Sequence, residues 1–201
     1  MISPLLIVLL AQTAHQHHPP QSPAEYAKVL KDPARDAWQK PHDVIMALHL
    51  KPTDVVADIG AGTGYFARRM AMHAGKVLAV DIDAELLKIA GQGAPKNMET
   101  VLSVADDPKL ADASVDLIFI CDVLHHIENR PAYFAKLAKA LKPGGRVVNI
   151  DFFKKQLLIG PPVEMKLSEE QVVDEFTAAG FKSTGSQNFL PYQYFLIFQK
   201  K

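Results

Sequence analysis

The sequence predicts an α/β fold: a mostly parallel sheet with helices on both faces and an antiparallel end. Three observations carry that reading. From residue 54 onward, short apolar runs alternate with helical patterns. The runs are almost continuously apolar, as in strands buried on both faces of a parallel sheet. The last two are joined around Pro191 by so short a link that no crossover helix fits, so they pair antiparallel.

The elements follow in order. Residues 1–23 read as leader and linker. Leu5–Ala11 is an apolar run, well short of the roughly 20 residues a membrane-spanning helix takes. It has the character of a signal-peptide core, yet no Lys or Arg precedes it and Gln12 stands where a small residue would mark cleavage after Ala14. Export and an unstructured leader both stay open. His15, His17 and His18, flanked by Pro19 and Pro20, read as solvated linker in preference to a metal site. Residues 24–201 form one domain, opening with short helices over 24–50. Asp32-Pro33 and Lys40-Pro41 break them, because proline disfavours helix at the residue before it.

Val55–Ile59 is a short β-branched strand followed by glycines. Thr63–His73 has helical spacing through Phe66, Met70 and His73. Lys76–Ile82 is a second strand, Ala84–Ala90 a helix, Thr100–Val104 a third strand and Val115–Cys121 a buried fourth. Pro131–Leu141 is helical, with Pro131 near its start and Lys142-Pro143-Gly144-Gly145 as its stop, and Arg146–Phe152 is a strand. Ser168–Ala179 opens with Ser168 and has Gln171 three residues on, the pattern of a capping box, and Gly180 ends it. Strands around Ser183–Phe189 and Tyr192–Gln199 close the domain.

Composition narrows the function classes. The chain has 201 residues, 48% hydrophobic and 22% charged, which suits one domain with a sizeable core. Lys+Arg and Asp+Glu are both 22, so the basic footprint of a nucleic-acid binder is missing and a small-molecule partner is expected. The single cysteine, Cys121, lies in an apolar strand and reads as a buried core residue.

The glycine loop is the central chemical signal. Asp58-Ile59-Gly60-Ala61-Gly62-Thr63-Gly64 lies between a strand and a helix, where glycines allow a tight turn and close approach to a ligand. The dinucleotide fingerprint spaces its glycines G-x-G-x-x-G. Here they fall at 60, 62 and 64, with Tyr65 next. Asp58 would repel a pyrophosphate and attract a ligand bearing an ammonium or sulfonium. Asp81, at the tip of the second strand, is suited to accept ribose hydroxyls, while Asp83 is suited to cap the next helix.

These pieces resemble the class I S-adenosylmethionine (SAM)-dependent methyltransferases. The resemblance runs through VADIGAGTGYF (56–66), AVDID (79–83), the ADDP turn (105–108), SVDLIFICDVLHHI (114–127), LKPGGRVVNIDF (141–152) and YFLIF (194–198). It implies a Rossmann-like seven-stranded sheet whose last strand inserts antiparallel, with SAM as cofactor and S-adenosylhomocysteine (SAH) as product. Gly60, Ala61, Gly62 and Gly64 would line the methionine part, with Asp58 near its amino group. Asp81 and Ile82 would face the ribose and its base, Ala105 and Asp106 the adenine, and Asp122 would complete the cofactor site. Many relatives have Gly-Asp-Ala where this chain has Ser103-Val104-Ala105, so the adenine contact falls to Asp106 or to backbone. The need for SAM favours the cytoplasm, against the signal-like leader.

Methyl transfer mainly requires alignment of nucleophile, methyl and sulfur, and a general base helps when the nucleophile must lose a proton. His125 and His126, after the fourth strand, are the candidate bases, since histidine titrates near neutrality. Tyr26, Trp38, His42, Tyr65 and Tyr192 are candidate pocket walls, Trp38 foremost because no amphipathic pattern accounts for it. The reading is a methyltransferase acting on a small molecule. The alternatives are a SAM or SAH binder without catalysis, a protein methyltransferase, and a nicotinamide-dependent oxidoreductase; the glycine spacing and Asp58 argue against the last.

Overall fold

The computed structural model of the chain describes residues 23–30 and 32–201. The leader expected over 1–23, with its apolar run and its histidines, lies outside these residues up to residue 22. Among the described residues no helix is long and apolar enough to cross a membrane.

The strands are β1 (Val55–Ile59), β2 (Lys76–Asp81), β3 (Met98–Leu102), β4 (Val115–Cys121), β5 (Leu141–Phe152), β6 (Phe181–Gln187) and β7 (Gln193–Lys200). They form one sheet in the order β3-β2-β1-β4-β5-β7-β6. The first five pair parallel. The last strand, β7, runs antiparallel between β5 and β6. This is the seven-stranded Rossmann-like order, with an antiparallel last strand, that the resemblance implied. The order reverses between β1 and β4, and the crevice at the carboxyl ends of those two strands is where open α/β sheets bind ligands.

The helices are α1 (Pro23–Leu30), α2 (Arg35–Gln39), α3 (Pro41–Ala47), α4 (Ala67–Met70), α5 (Ala84–Gly91), α6 (Arg130–Ala140) and α7 (Glu169–Ala178). The strand alternation sorts the core into two layers. Val56, Val77, Leu117, Phe119, Val148 and Ile150 pack on one face with Val44, Leu48, Phe66 and Met70. Ala57, Ile59, Val80, Ile118, Ile120 and Val147 pack on the other with Phe134, Leu137 and Phe176.

Several element limits and one cap differ from expectation. The helix read over Thr63–His73 shrinks to Ala67–Met70. Gly60, Gly62 and Gly64 all have positive φ, and this holds the preceding residues in turns. The stretch Lys142–Gly145 does end α6, but β5 begins at Leu141 and runs through it, with a register irregularity between Val115 and Leu117 on the partner strand. At α7 the Ser168 hydroxyl accepts from the Gln171 N–H at 3.1 Å. The reciprocal half of the capping box is not made, since Gln171 Nε2 donates instead to Glu175.

Candidate functional site

The site is built first by the turn after β1. Gly60, Gly62 and Gly64 take φ of 71°, 54° and 82°, values that a side chain resists. A Cβ on Gly60 would lie 2.1 Å from Val123 Cγ2, so the turn sits directly against the segment that follows β4. The Gly60 and Ala61 N–H groups donate to the Val80 carbonyl at 2.8 and 3.0 Å, which docks the loop onto the end of β2.

Asp81 completes that docking. One carboxylate oxygen accepts from the Gly62 N–H at 2.7 Å and the other from the Asp83 N–H at 2.9 Å. Asp83 accepts from the Glu85 and Leu86 N–H groups and so caps α5, as the sequence suggested. Burial raises the Asp81 pKa. Beside it, Ile82 and Val104 are 49% and 46% exposed and present apolar surface at this end of the sheet. The Ser103 N–H donates to the Asp81 carbonyl, and the Val104–Asp107 pair closes the turn that carries exposed Ala105 and Asp106.

Asp58 lies at the floor. It is 3% exposed, and its Oδ2 has no hydrogen-bond partner among the described residues. Burial pushes its pKa up to about 8, with the neighbouring Asp81 charge adding to the rise and Arg35 opposing it. A buried carboxyl with an unspent oxygen is costly unless a cation or donor reaches it. An ammonium group fits that requirement.

The segment after β4 forms the second wall. Asp122 has φ 61°, a strained value for a non-glycine residue. It accepts from Gln193 Nε2 and faces Arg35 Nη2 at 3.7 Å. Burial pushes its pKa up to about 7, against the pull of Arg35. His125 Nδ1 lies 2.9 Å from both carboxylate oxygens of Asp151, and the two side chains are 3% and 1% exposed. The tautomer protonated on Nδ1 satisfies that contact. Burial alone would lower the His125 pKa, but Asp151 and then Asp122 raise it. His126 is exposed, its ring 4.2 Å from that of His125.

The N-terminal helices cover the site. Arg35 stacks its guanidinium 4.2 Å from the Tyr65 ring centroid, and Tyr65 donates its hydroxyl hydrogen to Asp36. Gln39, fully buried, donates to Gln193 Oε1 at 2.8 Å and lies 3.2 Å from Cys121 Sγ. Trp38 packs 5.8 Å from Phe152 at the carboxyl end of β5. His42 is exposed on α3, and Tyr192 is half-buried at the start of the final hairpin strand. The Tyr26 side chain lies outside the described residues. Cys121 is buried in the core, as its strand suggested.

The structure thus brings Asp58, the glycine turn, Asp81, Ile82, Ala105, Asp106, Asp122 and His125 to one end of the sheet. Sequence reasoning missed Arg35, Gln39, Asp151 and Gln193. Two signals pointed to them: Arg35 and Gln39 are one helical turn apart, and Asp151 is a charge inside an apolar strand. No group of three or more His, Cys, Asp or Glu side chains able to hold a metal occurs among the described residues.

The family model described as a methyltransferase domain matches residues 57–149. The biotin biosynthesis bifunctional protein BioHC of Cellvibrio japonicus is 36% identical over 115 residues, covering 57% of this chain and 22% of that protein. The demethylmenaquinone methyltransferase of Tropheryma whipplei is 32% identical over 108 residues, covering 53% of this chain and 45% of that protein. The chain therefore spans less than half the length of these curated relatives. A SAM-dependent methyltransferase from Aquifex aeolicus superposes with a TM-score of 0.81 at 26% identity, covering 89% of this chain and 98% of that one.

Proposed function

We propose that the class I SAM-dependent methyltransferase domain of this chain moves a methyl group from SAM to a small-molecule acceptor. The observation that carries the proposal is the buried, unpartnered Asp58 oxygen beneath three left-handed glycines. When bound, SAM supplies a methyl group on a sulfonium, already activated for displacement. Asp58 holds the ammonium end, and Asp81 accepts from the ribose hydroxyls. Ile82 and Val104 bracket the adenine, while Ala105 and Asp106 supply polar contacts at its edge.

The acceptor enters beside Asp122 and His125. His125, oriented through Nδ1 by Asp151, keeps Nε2 for a proton that the acceptor must lose. Trp38 and Phe152 form an apolar wall on that side. The relative acting on demethylmenaquinone supports a small acceptor, and the neutral net charge supports it over a nucleic acid.

Calorimetric titration with SAM, SAH and NAD tests the cofactor half. Binding of SAM and SAH without NAD is expected, and NAD binding alone would overturn it. For the transfer half, SAH release is followed across a panel of small alcohols, amines and carboxylates. Methylation confined to added proteins would replace the small acceptor with a protein one.

A further inference from the structure

A cation stands in the site that no cofactor role has yet claimed. Arg35 lies on the covering helix α2 with its side chain 14% exposed. Its guanidinium is held on the Tyr65 ring at 4.2 Å and near the Phe66 ring at 5.9 Å. Nε donates to Gln39 Oε1 at 3.0 Å, and Gln39 is itself tied to Gln193 on β7. The head group is therefore fixed by stacking from one side and by a hydrogen bond from its own helix.

Its donors are nonetheless largely unspent. A guanidinium presents a planar fork of N–H groups. Among the described residues only Nε has an acceptor at hydrogen-bond distance. Asp122 Oδ2 is 3.7 Å from Nη2, an ion pair too long to be a hydrogen bond. A mostly buried, preorganised Arg with a free fork is suited to bidentate capture of a carboxylate.

SAM carries both charges of an amino acid on its methionine end. In the proposed site Asp58 answers the ammonium, and Arg35 is the cation whose charge reaches Asp58. We infer that Arg35 binds the carboxylate of the SAM methionine moiety, giving up its long ion pair with Asp122 to do so. The inference rests on the SAM reading above. It makes α2, which packs on Tyr65 just after the glycine turn, part of the cofactor site.

The test uses the full 201-residue chain, calorimetry, and two ligands: SAM and decarboxylated SAM, which keeps the sulfonium and the ammonium. Wild type should bind SAM about tenfold or more tightly than the decarboxylated form, the scale of a charge-assisted hydrogen bond. Arg35→Gln should lose that preference by weakening SAM alone, and Arg35→Lys should restore part of it. Equal weakening of both ligands in Arg35→Gln would overturn the inference and leave Arg35 as a clamp for α2. Unchanged SAM affinity in that variant would overturn it too. Failure of wild type to bind either ligand would instead remove the SAM reading itself, and the role of Arg35 with it.

Discussion

The proposed contact between Asp58 and the SAM ammonium carries a pH signature that can be worked out in advance. Its pKa is pushed up to about 8 by burial. At pH 7 roughly one Asp58 in ten is then ionised, since each pKa unit is a factor of ten. Capture of an ammonium needs the carboxylate, so the ligand must drive a proton off. Between pH 6 and 7 the SAM affinity should rise by up to about tenfold, with close to one proton released per SAM bound. Calorimetry in two buffers of different ionisation enthalpy reads that proton directly.

Asp58→Asn should abolish both the release and the slope while weakening SAM. In the ligand-free protein it should do the opposite to stability. The folded pKa lies above the unfolded value of 3.8, so wild type loses stability as pH rises from about 4 toward 8. The upper bound is about 6 kcal/mol, and the variant escapes this loss. Equal SAM affinity at pH 6 and 7, with no proton exchanged, would refute the assignment of Asp58 to the ammonium.

Asp81→Ala should weaken SAM at least tenfold by calorimetry, since it removes the ribose acceptor and frees the Gly62 N–H; wild-type affinity would sink the ribose assignment. Gly62→Val should abolish SAM binding and leave the far-UV circular dichroism largely intact, because φ 54° and Leu30 Cδ1, 2.9 Å from the new Cβ, both resist it. Asp151→Asn should lower the His125 pKa, which Asp151 now raises, as read by NMR titration of the imidazole; an unmoved titration would break the pairing. Arg130→Ala should cost roughly 1 kcal/mol in denaturant melts by breaking the partly buried bridge to Glu175, with SAM affinity unchanged; a loss of SAM binding would extend the site to α6 and α7.

The parts of this protein that could be read from sequence are those set by local chemistry. Strand period, glycine spacing and an acid at the tip of β2 each leave a mark within a few residues. They gave the alternation of strands and helices, the glycine turn and Asp81. Helix limits around Thr63 and the start of β5 were less legible, because glycine torsions and cross-strand pairing decide them. The covering network was hidden for another reason. Gln39 and Gln193 are 154 positions apart, and two glutamines at that distance carry no pattern. Asp151 gave a partial signal, as a carboxylate where only apolar residues belong, but its partner across 26 positions needed the fold.

The placement of β7 between β5 and β6 has a consequence for how the molecule matures. Until Gln193–Lys200 has been made, β6 has no neighbour to pair with and the apolar edge of β5 stays open. Gln193 begins that strand, and it is the residue that grips both Gln39 and Asp122. A chain that stops short of Gln193 therefore lacks the β7 anchor of α2, and keeps the contacts that this helix makes with Tyr65 and Phe152. The strand that completes the sheet thus also supplies the last anchor of the helix that covers the site.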